Sequence, residues 1–197
     1  MQDLCRFVRF PLDVKQWQAS MPSVQAARPR RCGACGAASR VVGEALSLHG
    51  HGLRCRQLYE LLRVDAPAVA QDLRLRRYRC VRCGGITTVG PRGLARRHLY
   101  SLRTIMVALW MWAMLGVPAP EVRDRVRPWR RSGDGCAGRW ASLGRWARRL
   151  PWPGKLELPP GLRPREMARR RVQAALSYAP TGPPDAAAVM AGCVRDG

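Results

Sequence analysis

Two short cysteine motifs limit what this chain can fold into more than any other feature of its sequence. Each is a Cys-x-x-Cys-Gly unit, the first at residues 32–36 and the second at residues 80–84. Such a unit turns tightly enough to direct two sulfur atoms at one ion, and its glycine supplies the positive φ that lets backbone N–H groups point at the thiolates. Four thiolates form the ligand set of a closed, structural Zn²⁺ site. We therefore predict a zinc site at four residues: Cys32, Cys35, Cys80 and Cys83.

Other cysteine and histidine residues form a competing ligand set. His49, His51 and Cys55 lie between the two motifs. However, His-Gly-His-Gly is more typical of a turn, and the four motif cysteines already form a complete set. Three further cysteines have no partner at ligand spacing and are predicted to be plain thiols: Cys5, Cys136 and Cys193.

The compartment is expected to be a reducing one. The first residues show no basic segment followed by an apolar one, so we expect no secretory signal and a cytoplasmic, nucleoid-associated protein. Under reducing conditions, paired cysteines indicate metal ligands rather than disulfides. The most apolar stretch, residues 105–117, is shorter than the ~20 residues that a membrane-spanning helix needs. We therefore expect no membrane partner.

The residues around the second motif predict the strands of a zinc ribbon. Asp72–Tyr78 is predicted to be a strand that runs into the motif, and the β-branched segment Ile86–Val89 is predicted to be the return strand. The 44 residues between Cys35 and Cys80 exceed the ~15–20 of a minimal ribbon. The ribbon therefore needs an elaborated middle, in which Val41-Val42 is a candidate strand start. We predict a zinc-ribbon domain over residues 28–100.

Three helical segments are predicted to follow. Ser101 is a good N-cap for a helix over Leu102–Leu115, and Pro120 opens a short helix to about Val126. After a Gly/Pro-rich linker, a third helix is predicted from about Arg139 to Leu150. Three short helices with a basic last one match a helix-turn-helix-like domain over residues 101–150. A trihelical packing unit without DNA contact is the alternative.

Positive charge is concentrated in these two central domains. The chain carries 35 Lys and Arg residues against 13 Asp and Glu, a formal net charge of +22, and 33 of the cations are Arg. Codon bias explains Arg in place of Lys but not the shortage of carboxylates, so a polyanionic partner such as nucleic acid is expected. Arginine suits phosphate oxygens and guanine edges. The predicted nucleic-acid contacts are Arg76, Arg77, Arg79, Arg82, Arg96 and Arg97 around the ribbon, and Arg145, Arg148 and Arg149 on the outer face of the third helix.

The two ends of the chain are predicted to be flexible. Residues 1–27 form an N-terminal extension in which Phe7–Phe10 is a candidate short strand. Residues 151–197 form a Pro-rich tail with one helix from about Pro164 to Tyr178. Together with the central domains, these segments predict an α+β fold.

Several segments together resemble a known family. They are Cys32–Gly36, His51-Gly52, the run RRYRCVRCG at residues 76–84, Thr87–Val89 and Arg97–Leu102. These segments are similar to the N-terminal zinc-ribbon region of bacterial insertion-sequence transposases, and especially to the short relatives that keep only this region. The resemblance covers about residues 28–150. It implies zinc on the four motif cysteines, a helix-turn-helix after the ribbon, and terminal-repeat DNA as the ligand.

The resemblance does not extend to catalysis. A transposase catalytic domain holds two metal ions with three spaced carboxylates on an RNase H-like sheet. From residue 151 onward the chain has only four acidic residues, in Pro-rich or terminal sequence, so we expect no enzymatic activity. The leading hypothesis is a non-catalytic, zinc-dependent DNA-binding protein related to transposases. The alternatives are an adaptor that docks a separately encoded transposase and an RNA-associated zinc ribbon.

Overall fold

The structure is a computed structural model that describes residues 6–63, 66–94, 98–127, 140–149, 156–178 and 189. Within these residues the chain forms a four-stranded mixed sheet and five helices, which confirms the predicted α+β class. The described residues group into two compact units. The sheet unit contains residues 6–57 and 72–94, and the helical unit contains residues 58–63 and 66–71 with those described from 98 onward.

These units group the chain differently from the predicted segments. Residues of the predicted N-terminal extension belong to the sheet unit, and the helix of the predicted Pro-rich tail belongs to the helical unit. Residues 58–71, which fall inside the predicted ribbon domain, include the part of the chain that joins two strands and belong with the helices. Contacts distant in sequence cause each difference, as the pairing of the elements shows.

Four strands form the sheet. They are β1 (Arg6–Phe10), β2 (Leu48–Glu60), β3 (Val69–Cys80) and β4 (Ile86–Pro91), in the spatial order β1-β4-β3-β2. β1 runs parallel to β4, with Val8 opposite Val89, and β3 runs antiparallel to β4, with Tyr78 opposite Thr87. The three predicted strands are therefore present, each at its predicted place or within a longer strand. Pairing with β4 brings the N-terminal segment into the sheet.

The middle of the predicted ribbon differs from expectation in two places. His49–Gly52, expected to form a turn, lies within β2, and Val41-Val42, a candidate strand start, lies outside every strand. Residues 49–55 are all exposed, so β2 lacks the alternation of buried and exposed residues by which a sequence pattern indicates a strand. Val42 is fully exposed, and β-branched residues form a strand only where a neighbouring strand pairs with them.

A short helix, α1 (Val14–Ala19), follows β1. Asp13 begins it with a capping box, in which the Asp13 side chain accepts from the Gln16 N–H and the Gln16 side chain accepts from the Asp13 N–H. Trp17 of this helix is buried, and its indole Nε1–H donates to the Arg74 carbonyl on β3 at 2.8 Å. The helix therefore fixes the N-terminal segment to the sheet by burial as well as by strand pairing.

Four further helices lie in the helical unit. They are α2 (Leu102–Ala113), α3 (Ala119–Val126), α4 (Ser142–Arg149) and α5 (Pro164–Ser177), close to the four predicted helices. Ser101 caps α2 as predicted, because its hydroxyl accepts from the Thr104 N–H at 3.1 Å. Ile105, Met106 and Leu109 are fully buried, so α2 forms the centre of this unit. No helix in the described part of the chain is both long and apolar enough to cross a membrane.

Helix α5 packs against α2 and α4. Its arginines donate to main-chain carbonyls in the last turns of those helices, which lack partners within their own helix. Arg165 donates to the Trp112 carbonyl at 2.8 and 3.0 Å and stacks over the Trp112 ring. Arg171, a buried residue, donates from Nε to the Ala147 carbonyl at 2.8 Å. The helix predicted for a flexible tail is thus an integral part of the helical unit.

The end of β2 and the residue that follows it contact the start of α2 and the residues just before it. The Leu61 N–H donates to the Thr104 hydroxyl at 2.8 Å, and the Tyr59 N–H donates to the Leu99 carbonyl at 2.6 Å. A row of edge-to-face aromatic contacts, each with ring centroids 5.1 Å apart, runs from Tyr59 through Tyr100 and Trp146 to Trp140. These contacts explain why residues 58–71 group with the helices.

Candidate metal centre

The four motif cysteines lie together in the sheet unit. Their sulfur atoms are all within 4.8 Å of one another, and both Cys32 to Cys83 and Cys35 to Cys80 are 3.8 Å apart. Zn–S bonds of about 2.3 Å in a tetrahedron give S–S separations of about 3.8 Å. The two sulfur atoms of a disulfide would lie only about 2.05 Å apart. The spacing and the soft donor set therefore fit one four-coordinate metal ion, as the sequence predicted.

The two motifs have the same backbone conformation. In the first, which we call the first knuckle (residues 32–37), the Cys32 N–H donates to the Ala37 carbonyl at 2.8 Å and the Gly36 N–H donates to the Cys32 carbonyl at 2.9 Å. The second knuckle (residues 80–85) repeats both bonds at the equivalent positions, at 3.0 and 2.8 Å. Gly36 and Gly84 have φ values of 74° and 68°. The predicted role of the motif glycines is thus confirmed.

Each knuckle is the turn of an antiparallel hairpin. Arg31 pairs with Ala38 across the first knuckle, and Arg79 of β3 pairs with Ile86 of β4 across the second. In both cases the paired residues are the one before the first cysteine and the third after the second cysteine. The two hairpins therefore present their sulfur atoms in the same way, which allows two unrelated stretches of chain to share one ion.

The first knuckle is held against the end of the sheet. The Gly33 N–H donates to the Thr87 hydroxyl on β4 at 3.1 Å, and a Cβ atom at residue 33 would lie 2.7 Å from the Arg6 Cβ of β1. Only glycine permits this close approach. A second link passes through Ser47, whose N–H donates to the Ser39 carbonyl just after the first knuckle at 3.1 Å and whose carbonyl accepts from the Val81 N–H of the second knuckle at 2.9 Å. These contacts position the first pair of sulfur atoms beside the second pair.

Two of the four thiols have pKa values shifted in opposite directions. Burial raises the pKa of Cys32, but hydrogen bonds from the Cys35 and Ala34 N–H groups and from neighbouring thiols outweigh it, so the pKa falls to about 6. At Cys83 the Gly85 N–H lowers the pKa, but the neighbouring thiols and burial raise it to about 12. Four adjacent thiolates repel one another. A divalent cation removes that repulsion, and its binding displaces the remaining protons.

The competing ligand set does not come together. Among the described residues, the four cysteines are the one group of three or more potential ligands that the structure gathers. His49, His51 and Cys55 lie on β2 with exposed side chains. The His49 Nε2 atom lies 2.7 Å from the Leu46 carbonyl. We therefore assign the candidate metal site to the cysteines alone.

The arginines predicted to contact nucleic acid differ in their environments. In the sheet unit, Arg79 and Arg82 are exposed, and Arg76 and Arg77 are half-buried. Arg82 forms an ion pair with Glu44 at 3.0 Å, with both side chains more than half exposed. Arg76 donates from Nε to the Pro22 carbonyl at 2.5 Å, so its backbone contact leaves its remaining N–H groups for other partners.

The outer face of α4 carries the other predicted arginines. Leu143, Trp146 and Ala147 are buried, whereas the arginines on the opposite face are exposed: Arg145, Arg148 and Arg149. Several sequence predictions lie outside the described residues. They are the contacts Arg96 and Arg97, the plain thiols Cys5, Cys136 and Cys193, the Gly/Pro-rich linker before α4, and most of the residues beyond 178.

Comparison with known proteins adds no relative. No protein-family model, curated protein or solved structure matches this chain. The similarity to the transposase zinc-ribbon region therefore stays a prediction.

Proposed function

We propose that this chain is a non-catalytic, zinc-dependent DNA-binding protein. The observation that carries the proposal is the cluster of four cysteines, spaced as a Zn²⁺ tetrahedron, in a chain with a net charge of +22. Zinc held by Cys32, Cys35, Cys80 and Cys83 would supply four bonds that join the two knuckles. A site with four protein thiolates keeps no open position for a substrate, which is typical of structural zinc.

DNA is the proposed partner because of the type and number of charges. Arginines outnumber carboxylates, and exposed ones occur in both units, on the second knuckle (Arg82), on β3 (Arg79) and on α4 (Arg148). Phosphate contacts from such side chains give most of the affinity of DNA-binding proteins. The ion pair with Glu44 does not prevent Arg82 from binding a phosphate, since ion pairs between exposed side chains are weak.

We also propose a specific arrangement of the two units, a zinc ribbon followed by a helix-turn-helix. The two hairpin knuckles support the first part, and the exposed arginine face of α4 supports the second. We further propose that the chain is related to the DNA-binding region of insertion-sequence transposases and works at the nucleoid. The packing of α5 on α2 and α4 would make the proposed helix-turn-helix part of a larger helical unit.

The proposal is tested by zinc stoichiometry together with DNA titrations. We expect one zinc per chain by native mass spectrometry, and duplex binding whose log affinity falls by about 0.9 per phosphate contact for each log unit of salt. The same titration against structured RNA separates the RNA-associated alternative, which predicts preference for RNA. Absence of duplex binding by the zinc-loaded chain, or binding insensitive to salt, contradicts the proposal.

A second candidate function is an adaptor that docks a separately encoded transposase. Exposed apolar residues in the sheet unit favour it: the exposed fractions are 100% for Val42, 66% for Val81 and 38% for Val41. Val81 follows Cys80, and Val41-Val42 lies in the loop between the knuckles. If this surface docks a protein, Val42→Ser weakens the hetero-complex in gel filtration. Duplex binding that appears only in the hetero-complex would favour the adaptor function over autonomous DNA binding.

A further inference from the structure

The part of β2 inside the sheet unit is exposed along its length. Residues 49–55 form a run of seven exposed residues in an edge strand of the sheet. A strand that covers a core buries every second side chain. Exposure of successive residues therefore means that both faces of β2 are largely open here, with Val24 packed against Gly50. We call this stretch of β2 with its neighbour β3 (residues 48–57 and 72–80) the ribbon arm.

The ribbon arm carries a strong excess of positive charge. Its β2 part contains no carboxylate, and its β3 part contains one, Asp72. Six arginines lie on the two strands: Arg54, Arg56, Arg74, Arg76, Arg77 and Arg79. Burial lowers the pKa of Arg56, and the nearby charge of Arg54 lowers it further. Like charges placed together on an exposed strand are unfavourable unless an anion binds there.

A groove of about 330 Å³ lies on the ribbon arm. Gly50 and Gly52 of β2 line it without side chains, together with Arg76 and Arg77 of β3, and Val24 packs against Gly50. The wall is held in place, since the Tyr78 hydroxyl donates to the Val24 carbonyl at 2.8 Å and Arg76 is anchored on Pro22. Side chains held in this way lose little conformational entropy when they bind a ligand.

We propose that the ribbon arm enters the major groove of duplex DNA, with Arg54 and the arginines of the 330 Å³ groove as its contacts. This inference rests on the proposed DNA-binding function and names the surface that performs it. Two strands about 4.8 Å apart, with their side chains, fit a major groove about 12 Å wide. An exposed edge strand can also pair with a second copy of itself, but two arms of the same charge repel each other, whereas DNA neutralises them.

Arg54 is a residue of this surface that the sequence analysis did not predict as a contact. Arg54 lies outside both cysteine motifs and outside the predicted strands, so no pattern connected it with the arginines of β3. The pairing of β2 beside β3 brings these residues onto one arm. Within the described part of the chain, Arg54 forms no ion pair.

The first test compares two exposed arginines on opposite edges of the sheet. Arg54 lies on β2, and Arg9 lies on β1 at the other edge. We expect Arg54→Ala to weaken duplex binding by at least about fivefold and to reduce the salt slope by about 0.9. Arg9→Ala should change affinity less than twofold, and both variants should keep one zinc per chain. Arg54→Lys keeps the charge, so it should restore the salt slope if the contact is to phosphate.

The second test identifies the groove of the DNA. Methylation of guanine N7 reports on the major groove, and methylation of adenine N3 reports on the minor groove. We expect the zinc-loaded chain to protect guanine N7 and Arg54→Ala to lose part of that protection. Protection of adenine N3 alone would overturn the major-groove assignment.

The outcomes separate this inference from the proposed function. If Arg54→Ala and Arg9→Ala behave alike while Arg148→Ala on α4 weakens binding, the ribbon arm is not the contact surface and DNA binding stands. If the zinc-loaded wild-type chain binds no duplex, the proposed function fails, and this inference fails with it. If Arg54→Ala alone weakens binding, both stand.

Discussion

The sheet unit and the helical unit are stabilised by different interactions. In the sheet unit, two hairpin turns converge on four sulfur atoms, and two of those cysteines, Cys35 and Cys83, are exposed. In the helical unit, α2 is surrounded by apolar side chains and has Ile105 and Leu109 fully buried. A metal ion held by the four cysteines would join the two hairpins of the first unit, whereas burial of apolar surface on α2 stabilises the second.

The two units also use arginine differently. Arg79 and Arg54 of the sheet unit point to solvent, but Arg165 and Arg171 of the helical unit donate to the ends of other helices. Guanidinium groups that satisfy carbonyls in this way act as structural caps. Part of the arginine content behind the net charge of +22 therefore has a structural role, most clearly at the buried Arg171.

The largest effect is expected from removal of a metal ligand in the sheet unit. Cys80→Ser should lower the zinc stoichiometry from one to zero, with loss of on the order of 10 kcal/mol that zinc binding contributes to folding. Hydrogen exchange should speed up at the amides of β3 and β4 and stay slow in α2. Cys55→Ser, an exposed cysteine on β2, is the control and should keep the zinc. Equal loss of protection in both units would show that the metal stabilises the whole chain.

The second prediction concerns the apolar core of the helical unit. Leu109 is fully buried in α2, so Leu109→Ala should lower the free energy of unfolding by about 2–5 kcal/mol through the cavity that it leaves. Leu115, with 56% of its surface exposed, is the matched control, and Leu115→Ala should cost less than about 0.5 kcal/mol. Urea denaturation gives the energies, and zinc content should stay at one per chain. Zinc loss in Leu109→Ala would show that the metal site depends on the core of the helical unit.

An intermediate effect is expected for the arginine caps. Arg171→Ala removes the donor to the buried Ala147 carbonyl and should cost about 1–3 kcal/mol. Arg170 is the next residue on the same helix and is exposed, so Arg170→Ala should have little effect. Thermal unfolding of both variants measures the difference. If the two variants unfold alike, the Arg171 contact contributes nothing beyond surface charge.

The smallest effect concerns the start of α2. Ser101→Ala removes the hydroxyl that accepts from the Thr104 N–H and should cost about 1 kcal/mol. Ser177 at the end of α5 is exposed and bonds only a local carbonyl, that of Ala174, so Ser177→Ala serves as the control. Denaturant midpoints of the two variants distinguish a specific cap from a general serine effect.

Local signals predicted much of this structure. The ligand set follows from Cys-x-x-Cys-Gly spacing, which determines a turn over five residues, and the cap at Ser101 follows from residues within one helical turn. The strands on either side of the second knuckle were predictable because the motif itself joins them. In each case the residues that determine the conformation are neighbours in sequence.

The remaining features depend on contacts between distant residues. The parallel pairing of β1 with β4 joins residues about eighty positions apart, and no local pattern in Phe7–Phe10 indicates its partner. The sequence does not predict β2, because residues 49–55 are all exposed and show no alternation of buried and exposed positions. The Pro-rich composition around α5 predicts a tail, whereas the carbonyl partners of its arginines, such as that of Trp112, lie some fifty residues earlier and leave no local signal.

The chain passes from the sheet unit to the helical unit and back within β2 and β3. Residues up to 57 and from 72 belong to the first, and those between them belong to the second. A cut at residue 100 would leave the Thr104 hydroxyl without the Leu61 N–H and the Arg125 carbonyl without the Ala68 N–H. Neither unit is therefore a contiguous module. A gene fusion or recombination event that moved the zinc-binding motifs to another protein would have to carry residues 58–63 and 66–71, which belong with the helices.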